Sequence, residues 1–198
     1  MMKKTLIALL LLAPINAFAQ DASEVRRMFE AGRFQQVVET AGSESSPEVL
    51  FTIAQSHQKL GAADQARDIY SQLAARPEGD VWHSIGDSAR KLLDNDVDGA
   101  LESARNATAQ GEGVPEAQYQ LGLVLAKRQE WREAADAFDR AAQINPSLAY
   151  AHYYGGLMHY RANRPDRMAI HFDQFLKLAP EAPERPEVLQ IMRTVRGR

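Results

Sequence analysis

The sequence has no cysteine and no long apolar run, and each absence narrows the kind of protein that it can encode. Without cysteine the chain has no disulfide, no thiolate metal ligand and no residue through which a lipoprotein could be anchored. The longest apolar run, Leu6–Ala13, has eight residues, whereas a membrane-spanning helix needs about 20. We therefore expect a fold that is stabilised by packing alone, without a transmembrane segment.

A strong positive charge and the common catalytic motifs are also missing. The 23 basic and 26 acidic residues give a net charge of −3, which does not favour a nucleic-acid partner. The chain contains no HExxH, no GxSxG and no phosphate-binding glycine loop, so the enzyme classes that depend on these motifs are excluded. We expect a folded protein that is not an enzyme and holds no cofactor.

Residues 1–19 have the pattern of a secretory signal peptide. Basic residues Lys3 and Lys4 precede the apolar run, and Ala17-Phe18-Ala19 places small residues before a cleavage site. The short apolar segment after a Lys-Lys start is typical of bacteria. We predict cleavage after Ala19 and a periplasmic mature protein.

The main positive feature of the sequence is a period of 34 residues. Small residues recur with this step at Ala54, Ser88, Gly122 and Gly156. Alanine recurs with the same step at Ala66, Ala100 and Ala134. Apolar residues within each period return at three- and four-residue intervals, as in amphipathic helices. A fixed period of this length indicates a solenoid of helix pairs, in which each unit buries its apolar face against its neighbours.

The unit at 115–148 is the clearest and carries the resemblance to a known family. It has Leu121-Gly122, Ala134, Phe138 and Pro146 at positions 7, 8, 20, 24 and 32 of the frame, and it closely resembles the tetratricopeptide repeat. The resemblance implies an all-α fold, a right-handed α-solenoid of antiparallel helix pairs with a C-terminal capping helix. The predicted parts are a shortened repeat at 20–46, degenerate units at 47–80 and 81–114, full units at 115–148 and 149–182, and a capping helix with its tail at 183–198.

Two departures from the repeat pattern bear on the fold. Asp87 stands at position 7, where an apolar residue is usual. Position 15 ends the first helix of each unit, and Gly61, Asn95 and Asn163 suit the left-handed backbone expected there. Gln129 is the exception in this series.

The resemblance also implies a concave groove lined by the first helix of each unit. The groove positions predict a surface for a protein or peptide segment, because aromatic residues are frequent anchors of interfaces. The predicted contacts are Phe51, Trp82, Ile85, Tyr119, Leu123, Tyr150, Tyr153, Leu157 and Tyr160. Any one of them could equally pack one helix against the next. The groove lacks the Lys, Asn and Arg residues with which some family members bind the acidic tails of chaperones.

Two other functions remain as alternatives. A structural subunit could self-associate through the groove or the ends of the array, so the predicted state is a monomer or a weak homo-oligomer. His152, His159 and His171 could form a zinc site, but the first two fall at positions 4 and 11, where packing residues are expected. No carboxylate is spaced in the sequence to complete the set, so we expect no metal.

Overall fold

A computed structural model describes residues 22–40 and 45–196, and every regular element in these two ranges is an α helix. The helices are α1 (Ala22–Glu30), α2 (Phe34–Glu39), α3 (Pro47–Lys59), α4 (Ala63–Ala74), α5 (Val81–Leu93), α6 (Val97–Gln110), α7 (Pro115–Lys127), α8 (Trp131–Ile144), α9 (Ala149–Arg161), α10 (Pro165–Leu178) and α11 (Arg185–Arg196). None of these helices is both long and apolar enough to cross a bilayer. The predicted signal peptide, residues 1–19, lies outside the described residues.

The first helix of each predicted unit begins at the expected residue. Helices α3, α5, α7 and α9 start at Pro47, Val81, Pro115 and Ala149, and each has 13 residues. Each packs against the helix that follows it and against the preceding unit. The all-α solenoid of helix pairs is therefore confirmed, and α11 is its C-terminal capping helix, with Val188 buried against the array.

The turn inside each unit has the same backbone geometry throughout. Gly61, Asn95 and Asn163 have φ values of 77°, 61° and 56°. Gln129, the expected exception, also adopts a left-handed φ of 63°. The packing of the two helices therefore imposes this turn even on a side chain that does not favour it.

Glycine at position 8 leaves room for an aromatic ring from the second helix of the same unit. A Cβ atom on Gly122 would lie 2.8 Å from the ring of Phe138, and one on Gly156 would lie 2.4 Å from the ring of Phe172. Both rings are fully buried. The small residues of the 34-residue period thus fix how closely the two helices of a unit approach.

The degenerate second unit replaces an apolar contact with a polar one. Asp87 is half-buried, accepts a 2.6 Å hydrogen bond from Ser103 and lies 2.7 Å from the charged groups of both Lys91 and Arg90. Burial alone would raise the pKa of Asp87, but these partners lower it to about 2. The carboxylate is therefore a stable part of the packing between α5 and α6.

The solenoid curves until its first helix contacts its last unit. Glu30 in α1 accepts a 3.0 Å hydrogen bond from the backbone N–H of Ala149, the first residue of α9. A Cβ atom on Gly32 would lie 2.9 Å from the ring of Pro183, in the segment that leads to α11. The array is therefore a closed turn rather than an open arc.

Candidate functional site

The inner face of the closed turn is packed with aromatic side chains from different units. The ring centroids of Phe51 in α3 and Tyr119 in α7 are 6.4 Å apart, and those of Tyr119 and Tyr154 in α9 are 5.9 Å apart. The Nζ atom of Lys59 lies 5.1 Å from the ring centroid of Tyr150. Side chains of α3 thus reach α7 and α9 across the inner face.

Five of the nine predicted groove residues are buried in this packing. None of them is more than 6% exposed, and they are Phe51, Ile85, Tyr119, Tyr150 and Tyr153. The sequence predicts an open aromatic groove, whereas in the structure these five side chains are buried. The physical reason is that the closed turn brings the inner faces of the units into contact with one another and with α1.

Helix α1 lies over the aromatic inner face. Its Phe29 contacts Tyr150 at 4.9 Å between centroids, and its Arg26 forms ion pairs with Glu48 in α3 and Glu116 in α7. Beneath these contacts, a cavity of about 20 Å³ lies between Phe29, Phe51 and Tyr150, close to the size of one water molecule. Part of the surface that the sequence predicts for a partner segment, around Tyr119 and Tyr150, is therefore covered by the chain's own first helix.

The C-terminal segment covers the inner face from the other side. The hydroxyl of Tyr150 donates a 2.8 Å hydrogen bond to Glu184, and that of Tyr153 donates a 3.0 Å bond to Glu187. Each acceptor lies 34 residues after its donor, so the repeat period itself could have identified these glutamates. The two tyrosines are therefore held inside the array by glutamates that continue the 34-residue period beyond the fourth unit.

A cleft of about 430 Å³ stays open where the C-terminal ends of α3, α5 and α7 meet. We call it the lysine cleft, and it is lined by Phe29, Gln55, Gln58, Lys59, Leu92, Tyr119, Leu123, Lys127 and Tyr154. Its volume falls within the range of binding sites for small molecules or side chains. Of the predicted groove residues, Leu123 and Tyr119 line it.

The two lysines of this cleft differ in their partners. Lys59 lies 2.7 Å from the carboxylate of Glu184; burial opposes its protonation, but the Tyr154 and Glu184 side chains hold its pKa above the ordinary value. Lys127 is exposed and forms no ion pair with any of the described residues. One cationic group in the lysine cleft is therefore available to a ligand.

The other accessible groove residues lie apart from the lysine cleft. Trp82 is half-buried and lines a second opening of about 400 Å³ together with Arg26, Glu48, Glu116 and Ile144. Leu157 is half-buried, and Tyr160 is 39% exposed near the end of α9. The structure therefore does not join the nine predicted residues into one surface.

Two of the three histidines of the fourth unit have a carboxylate partner that the sequence pattern does not predict. The Nε2 atoms of His159 and His171 lie 2.9 Å and 2.8 Å from Oδ1 of Asp139, which comes from α8 in the preceding unit. The expectation that no carboxylate completes the set is wrong. His152 stands outside this group, because its Nε2 atom lies 3.1 Å from the carbonyl oxygen of Pro146. Combining the periodic register with helix stacking could have identified Asp139.

Comparison with protein families matches this chain to the tetratricopeptide repeat in two places, residues 48–78 and 115–148. Among solved structures, a thermophilic TPR protein of Thermus thermophilus, TTC0263, is similar with a TM-score of 0.61 and 16% identity, over 88% of this chain and 98% of that one. A crystal structure of MamA is similar with a TM-score of 0.51 and 16% identity, over 81% and 95% of the two chains. At 16% sequence identity, these similarities show a shared fold and nothing about function. A comparison with curated proteins found no match.

Proposed function

The chain belongs to the tetratricopeptide repeat family, and from this premise we propose that it is a non-enzymatic interaction module of the bacterial cell envelope. Repeat arrays of this kind present a surface to a protein partner. The partner segment binds in the lysine cleft, between the C-terminal ends of α3, α5 and α7. The observation that carries this proposal is the open cleft itself, which exposes Leu123 of the predicted groove while five other predicted groove residues are buried.

The lining of the lysine cleft defines the chemistry of the segment. Leu92 and Leu123 are half-buried apolar side chains at its wall, and they favour an apolar anchor residue. The ammonium group of Lys127 favours a carboxylate of the partner beside that anchor. Lys59 is not free for this role, because it already forms an ion pair with Glu184. The partner segment therefore combines an apolar side chain with an acidic group.

Photocrosslinking in cells tests this proposal directly. A photoreactive residue at Leu123 should capture one partner protein, because this side chain lies in the cleft wall. The same group at Ile170, which is 59% exposed on α10, should not capture that protein. Capture from both positions, or from Ile170 alone, would place the working surface outside the lysine cleft.

A charge reversal gives an independent test on purified protein. Lys127→Glu should abolish binding of the captured partner, because it puts an acidic group opposite the partner's carboxylate. Lys177→Glu, at an exposed position of α10, makes the same change of net charge away from the cleft and should leave binding intact. Thermal melting of both variants should match the wild type, which separates loss of binding from loss of folding.

Export to the periplasm is part of this proposal and rests on residues 1–19. A fusion of these residues to alkaline phosphatase should be active only if the segment directs secretion, since the reporter folds in the oxidising periplasm. A fusion in which Leu9 and Leu10 are replaced by Asp should be inactive. Equal activity of the two fusions would contradict export through this segment.

The self-associating alternative makes a different prediction for the purified chain. Sedimentation at increasing concentration should give a constant monomer mass if the protein acts on a separate partner. A mass that rises with concentration, and falls back in Lys127→Glu, would favour a structural subunit that uses the same cleft for a second copy.

A further inference from the structure

Three potential metal ligands from three helices converge between the third and fourth units. Asp139 in α8, His159 in α9 and His171 in α10 each offer one ligand atom, and the three atoms lie within 4.8 Å of one another. Each of these atoms comes from a different helix, so their convergence depends on the packing of the two units. Such a separation is close to what ligands around a single ion require, after a small outward movement of the three side chains.

The hydrogen bonds of this cluster leave buried nitrogen atoms without partners. A carboxylate oxygen only accepts, so both imidazole rings donate their Nε2–H group to Asp139. The Nδ1 atoms of His159 and His171 are buried and have no hydrogen-bond partner among the residues that the structure describes. These rings are 1% and 7% exposed, and a buried unpaired polar atom is costly for a residue that serves packing alone. The two buried imidazoles are therefore held through their Nε2 atoms, which meet at Asp139.

The backbone next to the cluster is shaped to admit the ring of His171. A Cβ atom on Gly155 would lie 2.8 Å from Nδ1 of His171, so any larger residue would displace the ring. Glycine at 155 precedes the small residue that the repeat itself requires at 156. The local structure thus keeps the imidazole of His171 directed towards Asp139.

We propose that Asp139, His159 and His171 form a binding site for a divalent transition-metal ion of the zinc type. Two imidazoles and one carboxylate are a common ligand set for this ion. Asp139 is the partly exposed member, and Arg167, 3.7 Å from its Oδ2 atom, is itself 65% exposed. The fourth ligand is a water molecule on this solvent-facing side, where the Arg167 side chain can turn away.

The bound ion ties the second helix of one unit to both helices of the next. Binding requires the ring proton of each histidine to move from Nε2 to Nδ1, where the described part of the chain offers no acceptor. A missing acceptor of this kind weakens a metal site by about 10- to 100-fold. The affinity for zinc is therefore on the order of micromolar, below that of structural zinc sites with complete outer contacts.

Calorimetric titration of the chelator-treated, untagged protein with zinc chloride tests the site. We expect one ion per chain and a rise in melting temperature of about 5–10 °C at saturating zinc. Asp139→Asn keeps a hydrogen-bond acceptor for both rings, and His171→Gln keeps a donor for Asp139. Each variant should fold with a similar circular-dichroism spectrum, lose zinc affinity at least about 10-fold and lose the thermal shift.

A matched histidine outside the cluster provides the control. His83→Gln, in α5, removes an imidazole whose Nδ1 atom lies 3.0 Å from the Arg76 carbonyl oxygen, and it should bind zinc like the wild type. Absence of zinc binding by the wild-type protein would overturn the proposal. So would equal binding by Asp139→Asn and the wild type, because the ion would then lie elsewhere. If His171→Gln does not fold, the comparison of Asp139→Asn with His83→Gln decides the question.

Discussion

The carboxylate of Glu30 accepts a hydrogen bond from the backbone N–H of Ala149, which lies 119 residues further along the chain. This bond joins the first helix, α1, to the beginning of α9 and caps one of the free N–H groups there. Around it, Phe29 contacts Tyr150 and Arg26 pairs with acidic groups of α3 and α7. The helix that covers the inner face is thus held by one buried carboxylate, one aromatic ring and one arginine.

The pH dependence of stability should report on Glu30. Burial raises its pKa from 4.5 to about 7, against the opposing effects of the Ala149 N–H group and Arg26. Between these two pH values the folded chain keeps a proton that the unfolded chain loses, so the free energy of unfolding falls as pH rises. Glu30→Gln avoids this loss and still accepts the Ala149 bond. Above pH 7 it should be more stable than the wild type by up to about 3 kcal/mol.

Urea denaturation at about pH 4 and about pH 8 measures this difference. The two proteins should have nearly equal stability at the lower pH, where Glu30 is protonated in both states. Glu24→Gln, at an exposed position of the same helix, should change stability little at either pH. A difference between Glu30→Gln and the wild type that does not vary with pH would contradict the assignment.

Removal of the Phe29 ring should detach α1 from the inner face. The side chain is buried against Tyr150 and Phe34, and a Phe→Ala change at such a position costs about 3–5 kcal/mol. We expect Phe29→Ala to lose hydrogen-exchange protection in α1 and at the Ala149 amide. Protection in α6 and α7 should persist.

The matched change in the neighbouring helix is Gln36→Ala. Gln36 is exposed on α2, so this variant should exchange like the wild type. Unchanged protection of α1 in Phe29→Ala would mean that the polar contacts of Arg26 and Glu30 suffice to hold the helix.

A methyl group at Gly156 should destabilise the fourth unit. It would lie 2.4 Å from the buried ring of Phe172, and overpacking of this kind costs about 1–3 kcal/mol. The gain in helix propensity from Gly to Ala offsets up to about 1 kcal/mol. The melting temperature of Gly156→Ala should therefore fall by several degrees. In Gly113→Ala, where the new Cβ meets no atom within 4 Å, it should stay near the wild-type value.

Acid should weaken the packing of the second unit through Asp87. Its pKa of about 2 lies below the ordinary value of 3.8 because Lys91, Ser103 and Arg90 hold the ionised form, although burial opposes it. The resulting stability is present above pH 4 and is lost as pH falls towards 2. Because water partly screens the group, Asp87→Asn should cost only about 1 kcal/mol at neutral pH. Denaturation curves at neutral and acidic pH measure this, with the exposed Asp64→Asn as the variant that should show no such loss.

The sequence predicts the helix pairs well because their determinants are local. The register begins at Pro47, Val81, Pro115 and Ala149 in both the pattern and the structure. Small residues at position 8 and turn residues at position 15 act within a single unit. Contacts within one unit recur in every unit, so the residues that make them recur with the same period and can be recognised in a single sequence.

The sequence predicts the groove less well, because the accessibility of its side chains depends on contacts between distant units. Tyr119 and Tyr150 hold the positions that line an open array, yet α1 and the segment after α10 bury them. A repeat pattern describes how each unit meets its neighbour and says little about the angle accumulated over four units. For the same reason the repeat pattern does not indicate the role of Asp139, whose partners His159 and His171 belong to the next unit.

The meeting of α1 with α9 also bears on how this gene can change. Open repeat arrays evolve readily by duplication or deletion of whole units, because each new unit needs only its immediate neighbours. Here an added unit would carry Tyr150 and Pro183 away from Phe29 and Gly32. It would thereby separate α1 from the contacts with α9 that hold it in place. We therefore expect descendants of this chain to vary in their loops and surfaces and to keep their unit count.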